Sequence, residues 1–540
     1  MLFNSYEFLF AFLPMMLAGF FLLGQASRHA ALGWLMIASV VFYAWWRPLN
    51  VLIIAPSVLI NFLFARVLLR LGKDQTRVRL AQIVLILGIS FNIAFLGYFK
   101  YVNFFYIALN DVAGTNFVLT QVILPLGISF ITFQKIAFLI DVHARRIESF
   151  TLHEFFLFVL FFPQLIAGPI VHFREMMPQF QQITCRIDGT HMAVGLTLFV
   201  FGLFKKVVLA DGIAGHVSPV YEAAAAGQMV GMAQSWIAAV GFTLQIYFDF
   251  SGYSDMALGI ARCIGIRLPP NFDSPLKAAN IIDFWLRWHM TLTRFLTAYL
   301  YNPLVLWLTR RRMAKRLPGF GGKVPNYGAF VQLLAGPTLL TMLVSGIWHG
   351  AGYTFLLWGL LHGLYLTLNH AWRVAGHRVG GKQGTVARFS EPAGWAITFL
   401  SVVVAMVLFR APTVSAASIL LQGMAGLSGA GLPQDLLSQG GAWLSPLATG
   451  AVGLTMTGLL TACCWVLLLL AIALFLPNTL QMTARYEPAL GIQPKPTEPS
   501  WLDGLLQWSP SLPWALIMAG LGAATIIRWG GKSEFLYWQF

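Results

Sequence analysis

The feature that most constrains this chain is its succession of apolar runs, each close to the length a helix needs to cross a bilayer. A spanning helix takes about 20 mostly apolar residues. Runs of that kind cover residues 6–24, 30–46, 50–70, 80–99, 120–140, 153–168, 191–210, 233–250, 281–308, 328–346, 350–370, 393–410, 451–476 and 512–529. Between them there is little polar surface: 58% of the residues are hydrophobic and only 10% are charged, where a soluble domain carries about 25%. A water-soluble fold of this size has no interior large enough to hide so much apolar surface, so lipid must cover it. The expected fold class is an all-α polytopic membrane protein.

Several of the runs are short, or broken by glycine and proline. Half-helices and re-entrant segments are tolerated at membrane depth only where protein or a polar cavity satisfies their backbone. About 11–13 true spans are expected, with the remainder re-entrant or half-length. Residues 411–450 are rich in Gly, Ser, Ala and Pro, and 485–511 are rich in proline; both are expected to be extramembrane connections, the first as a loop or a short interfacial helix. No repeat or linker divides the chain, which predicts one membrane domain over 1–540. The opening MLFNSYEFLF lacks the basic region of a secretory signal and is expected to begin a retained first span. Basic residues cluster at Arg70, Lys73, Arg77 and Arg79, at Arg310, Arg311, Arg312, Lys315 and Arg316, and at Arg373, Arg378, Lys382 and Arg388. These clusters predict cytoplasmic loops and an N-terminus on the outer side, with Trp45 and Trp46 at the outer interface.

The excess of 35 Lys+Arg over 20 Asp+Glu sits in those short clusters, so no nucleic-acid partner is expected. Cys185, Cys263, Cys463 and Cys464 form no Cys-x-x-Cys pair and have no histidine cluster beside them. Neither a disulfide framework nor a metal site is expected, and Cys463 and Cys464 are expected to pack in a core. The sequence has no phosphate-binding loop, Gly-x-Ser-x-Gly elbow or His-Glu-x-x-His motif, which leaves ATP hydrolysis, serine-hydrolase chemistry and zinc catalysis without support.

Polar and ionisable groups at membrane depth mark functional sites by default. In VSGIWHGAGYTFLLWGLLHGLY (344–365), His349 stands between Trp348 and Gly350. Small neighbours let a substrate or a second helix approach the imidazole, which can pass a proton between a hydroxyl and a leaving group; a packed histidine bonded to a neighbouring helix reads equally from the spacing. On a continuous helix His362 would lie about 20 Å farther along, out of reach of His349 unless the glycines break the helix, and it reads as structural or pathway-lining. In DFWLRWHMTLTRF (283–295), Asp283 and Arg287 are spaced to pair on one helical face, while Trp288 and His289 suggest either a shared polar cavity or an interfacial aromatic edge. In 244–273, Asp249 and Asp255 must line a cavity or pair with Arg262, Arg267 or another basic group. Near 163–175, Pro163, Gly168 and Pro169 break any helix, leaving His172, Arg174 and Glu175 to face a ligand or cap a helix end.

These segments resemble the membrane-bound O-acyltransferase family, in the branch that O-acetylates alginate and D-alanylates teichoic acid. The resemblance is carried by MLFNSYEFLF, LPLGISFITFQKIAFLIDVH (124–143), FFPQLIAGPIVHF (161–173), LFKKVVLAD (203–211), LQIYFDFSGYSDMALGIAR (244–262), LPPNFDSPLKAANIIDFWLRWHMTLT (268–293), SGIWHGAGYTFLLWGLLHG (345–363) and the ending FLYWQF. It implies helices around a central tunnel, with His349 as the catalytic residue and His289 as the second residue of the site. Trp348, Asp283, Arg287, Trp288, Asp249 and Asp255 are then the expected substrate-binding residues. It also implies acetyl-CoA as the acyl donor, with no bound cofactor and no metal. The other implied partners are a periplasmic acetyl acceptor or transferase protein, a polysaccharide biosynthesis complex and membrane lipid. The implied location is the bacterial inner membrane and the implied acceptor an alginate- or cellulose-like exopolysaccharide. Where the family commonly reads Leu-Arg-Asp-Tyr-Leu-Tyr, this chain has Leu296-Thr297-Ala298-Tyr299-Leu300-Tyr301, which points to a different polymer acceptor. The competing readings are an acyl or polymer transporter without bond chemistry, and D-alanyl transfer of the teichoic-acid type.

Overall fold

The computed structural model describes residues 1–118, 122, 124–319, 326–376, 386–431, 455–492, 506–529 and 535–536. Among them there is helix and no strand. Seven helical stretches are long and apolar enough to cross a bilayer: Glu7–Ala26, Leu49–Leu71, Val78–Ala113, Gly189–Ala225, Tyr327–His349, Glu391–Arg410 and Met456–Phe475. Arg28–Ala44, Val414–Met424 and Leu512–Arg528 are shorter apolar helices. Large side chains such as Leu52, Leu63, Ile86 and Leu467 stand exposed on these spans. A contiguous apolar exterior of that extent is incompatible with water and suits lipid. The chain is therefore a multi-pass, all-α membrane protein.

Two compact units share the chain, neither contiguous in sequence. One holds Met1–Phe204, Gly252–Pro270 and Thr479–Glu534; the other holds Lys205–Ser251, Asn271–Asn478 and Phe535–Phe540. In the first unit an aromatic core forms where Phe8, Phe12, Phe42 and Phe162 meet at centroid distances of 5.2–6.4 Å. Several buried polar groups of this unit are paired across helices, which lowers the cost of burying them. Asn61 and Asn92 exchange side-chain hydrogen bonds between two spans, and the Lys135 ammonium donates to Ser57 Oγ at 2.6 Å. Between the spans Leu49–Leu71 and Val78–Ala113, Asp74 accepts from the side chain and backbone of Thr76. Those bonds hold its carboxyl below the usual carboxylate range, and Arg77 adds an ion pair.

The break expected at 163–175 is present. The Leu152–Leu160 helix gives way to a single turn, Phe162–Leu165, and then to irregular backbone up to Phe173. There His172 and Glu175 form a reciprocal cap on the Phe173–Gln182 helix, so the capping role is the one observed. Two expectations need correction. Arg312 does not lie in a loop: it is in the last turn of the Asn302–Ala314 helix, buried, and donates to Gln332 Oε1 and to the Pro318 carbonyl, both at 2.7 Å. Cys464 faces outward from the Met456–Phe475 helix and is not core, because that helix buries only Ala462, Leu469 and Ala473. Of the two readings of 411–450, a loop or a short helix, the described part holds a short helix, Val414–Met424, started by Thr413, whose hydroxyl accepts from Ala416 N–H; 432–450 lies outside the described residues. So do 493–505 of the second connection, Arg378, Lys382 and most of the FLYWQF ending.

Candidate active site

The second unit builds its most crowded polar site at two helix breaks. The first separates the helices Ile281–Arg287 and Met290–Leu296. Trp288 is extended and His289 adopts left-handed backbone, φ 43° and ψ 52°. That region is sparsely populated by non-glycine residues and persists only where surrounding bonds enforce it. Here the loop that follows Pro270 supplies them. Met290 N–H donates to the Asn271 carbonyl, Thr291 Oγ1 donates to Asn271 Oδ1 at 2.5 Å, and Asp273 N–H donates to the Arg287 carbonyl. The His289 carbonyl accepts from Leu292 and Thr293 N–H, so the residue starts the next helix while its ring is turned inward and fully buried.

The second break follows His349. The Gly336–His349 helix ends there, Gly350 is extended, and a new helix runs Tyr353–Gly376. The glycine break that the sequence left conditional is therefore real. These two helices pack backbone against backbone at Gly346 and Gly359. A Cβ on Gly346 would stand 2.3 Å from the Phe355 carbonyl oxygen and 3.0 Å from Gly359 Cα. Small residues give van der Waals packing of this kind its closest approach in lipid. Gly346→Val is thus expected to force the pair apart and cost about 1–3 kcal/mol through overpacking, read as a lowered thermal midpoint in detergent. Gly352→Ala, whose new Cβ meets nothing closer than 3.6 Å, should leave the midpoint unchanged.

The two breaks bring the histidines together, with ring centroids 6.4 Å apart. His349 is edge-on to Trp358 at 5.1 Å and to Phe409 at 5.2 Å. His289 is edge-on to Phe250 at 4.8 Å and lies 6.0 Å from Trp348. Water is largely excluded: His349 is 5% exposed and His289 0%. His349 also closes a helix C-terminus, where the aligned carbonyls favour positive charge. A cavity of about 310 Å³ lies between the helices that carry the pair, and neither histidine is among its lining residues. One wall is a hydroxyl stripe on the His349 helix, Thr338, Thr341 and Ser345; another is Leu292, Thr293, Leu296, Thr297 and Tyr301, which follow His289 in the chain. Thr341 and Ser345 are buried, and their hydroxyls have no hydrogen-bond partner among the described residues.

Comparison with known proteins gives this arrangement its context. Residues 141–317 match the model of the MBOAT, membrane-bound O-acyltransferase, family; the matched stretch includes His289, and His349 lies beyond it. The chain is 38% identical to the peptidoglycan O-acetyltransferase of Helicobacter pylori over 462 residues, which cover 80% of this chain and 81% of that protein. The chain belongs to the membrane-bound O-acyltransferase family. It is also 38% identical to the probable alginate O-acetylase AlgI of Pseudomonas aeruginosa, over 77% of this chain and 73% of the other. A more distant relative is the teichoic acid D-alanyltransferase of Streptococcus thermophilus, 29% identical over 53% of this chain and 68% of the other.

Within this O-acyltransferase the remaining sequence-derived candidates have defined surroundings. Asp283 and Arg287 form the expected pair at 2.9 Å, both about one-third exposed. The basic partner of Asp249 is Lys206, at 2.7 Å, and not Arg262 or Arg267. Lys206 also binds Asp211 at 2.8 Å and lies over the Phe535 ring, while Leu536 N–H donates to the second oxygen of Asp249. Asp255, in the other unit, accepts from Thr479 Oγ1 at 2.8 Å. Arg262 there donates to the Tyr486 carbonyl, and Arg267 pairs with Glu487. Trp288 packs on Phe272 and Phe284 and is buried. Sequence reasoning missed Asn271, Phe250, Trp358, Phe409 and the Thr341–Ser345 stripe. Only the stripe had a visible signal, hydroxyls four residues apart leading toward a histidine also four residues on. Thr297 and Tyr301, from the segment that departs from the family pattern, are in the cavity wall.

Proposed function

We propose that this O-acyltransferase moves an acetyl group from cytosolic acetyl-CoA toward an extracytoplasmic exopolysaccharide, through a periplasmic acceptor or transferase protein, in the bacterial inner membrane. The observation that carries the reading is the His289–His349 pair, two buried imidazoles 6.4 Å apart in an aromatic cage. His349 takes the proton of an acceptor hydroxyl as that oxygen attacks the thioester carbonyl. The C–S bond breaks, and the imidazolium returns the proton to the departing thiolate, giving the ester and free CoA. The helix C-terminus at His349 favours the transient positive charge. His289, fixed by its enforced backbone, orients the reactants, and the dry cage protects the thioester from hydrolysis. Thr341 and Ser345 offer buried hydroxyls to a substrate's polar groups. The basic residues Arg310, Arg311, Lys315 and Arg316, facing the cytoplasm, attract the phosphates of CoA.

Acetyl transfer is favoured over D-alanyl transfer because the O-acetylating relatives share 38% identity over at least 77% of the chain, against 29% over 53%. A transporter without bond chemistry is disfavoured because the relatives are named as O-acetylating enzymes and a D-alanyltransferase. Purified protein in nanodiscs, given labelled acetyl-CoA and a polysaccharide acceptor with or without its periplasmic partner, should release CoA thiol. The label should move to the acceptor. A preparation that transfers D-alanine from its carrier protein and leaves acetyl-CoA intact would overturn the donor assignment.

A further inference from the structure

We propose that His362 is a positioning residue of the reaction centre, acting as the hydrogen-bond acceptor that fixes Trp285, which packs on Trp358, the ring edge-on to His349; this rests on the acyl-transfer reading of the His289–His349 pair. His362 is fully buried on the helix that follows the Gly350–Gly352 break. Its Nδ1 accepts from the Trp285 indole N–H at 3.3 Å, which requires that nitrogen to be bare and the ring proton to reside on Nε2. The ring is edge-on to Trp285 at 5.2 Å and to Trp358 at 4.7 Å, and lies parallel to Phe284. Trp358 in turn meets His349 edge-on at 5.1 Å and Phe409 at 5.3 Å.

Trp285 is the group that joins this cage to the cavity. Its ring lines the cavity with Thr341 and Ser345, its carbonyl accepts from Thr293 Oγ1 on the helix that His289 begins, and it lies 5.9 Å from Trp358. An indole can fill the same volume in more than one rotamer, and apolar contacts alone are weakly directional. A single acceptor aimed at the indole N–H selects one rotamer. His362 supplies that acceptor without touching the reacting atoms, so its effect must reach them through Trp358 and Trp285.

The test compares His362→Phe, His362→Asn, Trp285→Phe and the double variant His362→Phe/Trp285→Phe in the acetyl-CoA release assay, with thermal midpoints measured in parallel. His362→Phe keeps an aromatic ring and removes the acceptor; His362→Asn places an amide oxygen near the position of Nδ1. Misplacement of a group beside the reacting atoms is expected to lower kcat by about 10- to 100-fold, with KM for acetyl-CoA little changed. Trp285→Phe should do the same, His362→Asn should recover most of the rate, and the double variant should be no worse than the worse single. Unchanged kcat in His362→Phe, equal impairment in the Phe and Asn variants, or additive losses in the double variant would each overturn the proposal. Should His362→Phe fail to fold, Trp285→Phe against His362→Asn decides it alone: a normal kcat in the former, or loss of rate in a stable form of the latter, counts against it. Failure of the acetyl-CoA reading shows separately, in the wild-type protein, and the same variants are then read with D-alanyl carrier protein as donor.

Discussion

His349→Ala inserts into the membrane and retains its fold but loses acyl transfer by on the order of 10²–10⁴-fold, the usual contribution of a general base. The physical basis is that the Trp358–Phe409 cage excludes bulk water, so no solvent base can replace the imidazole. His349→Gln is the sharper version, because it fills much the same volume and keeps hydrogen-bonding capacity while lacking a basic nitrogen. Both variants should show near-wild-type thermal midpoints and CoA release lowered by that factor. If the two histidines act as a unit, His289→Ala on its own also impairs transfer, and adding it to His349→Ala lowers the residual rate no further. CoA release by His349→Gln at the wild-type rate would remove the imidazole from the chemistry.

The second large effect concerns stability. Lys206 and Asp249 are each only 1% exposed at the side chain and lie 2.7 Å apart. Removing one member of such a pair strands the other charge in a low-dielectric interior, at about 3–5 kcal/mol. Lys206→Met is therefore expected to lower the thermal midpoint sharply, with Asp249 left facing Asp211 without the ammonium that both now bind. Replacing the pair by well-packed apolar residues is often neutral, so Lys206→Met with Asp249→Leu should recover much of the loss. The same experiment tests the expectation that Asp249 binds substrate. A substrate ligand would give Asp249→Asn a raised KM at an unchanged midpoint, whereas an ion-pair member gives a lowered midpoint first. A Lys206→Met protein as stable as wild type would show that the pair contributes nothing.

Much of this was legible in the amino-acid order. Glycine and proline marked the breaks near 163–169 and 350–352, because neither residue continues a helix well. The Asp283–Arg287 pair followed from four-residue spacing on one turn. His289 and His349 could be singled out because imidazoles are costly at membrane depth. Their meeting could not be, since sixty residues separate them and nothing in either segment encodes the other's position. The left-handed backbone at His289 was equally hidden: it is set by hydrogen bonds to Asn271 and from Asp273, residues with no local reason to bind there. Arg312 shows the same limit in reverse. A run of arginines reads as loop charge until a carbonyl and a glutamine from elsewhere enclose one of them.

What the sequence determined by itself is the solvent: apolar runs of about 20 residues with few charges are lipid-covered helices, because a lipid-exposed run of that length satisfies its backbone amides within itself only as a helix. The tertiary structure decided which polar groups share a site. The Lys206–Asp249 pair, the aromatic cage and the cavity lined by Trp285, Thr341 and Ser345 arise from contacts between segments distant in the chain, and such contacts depend on packing geometry, which local propensity does not carry.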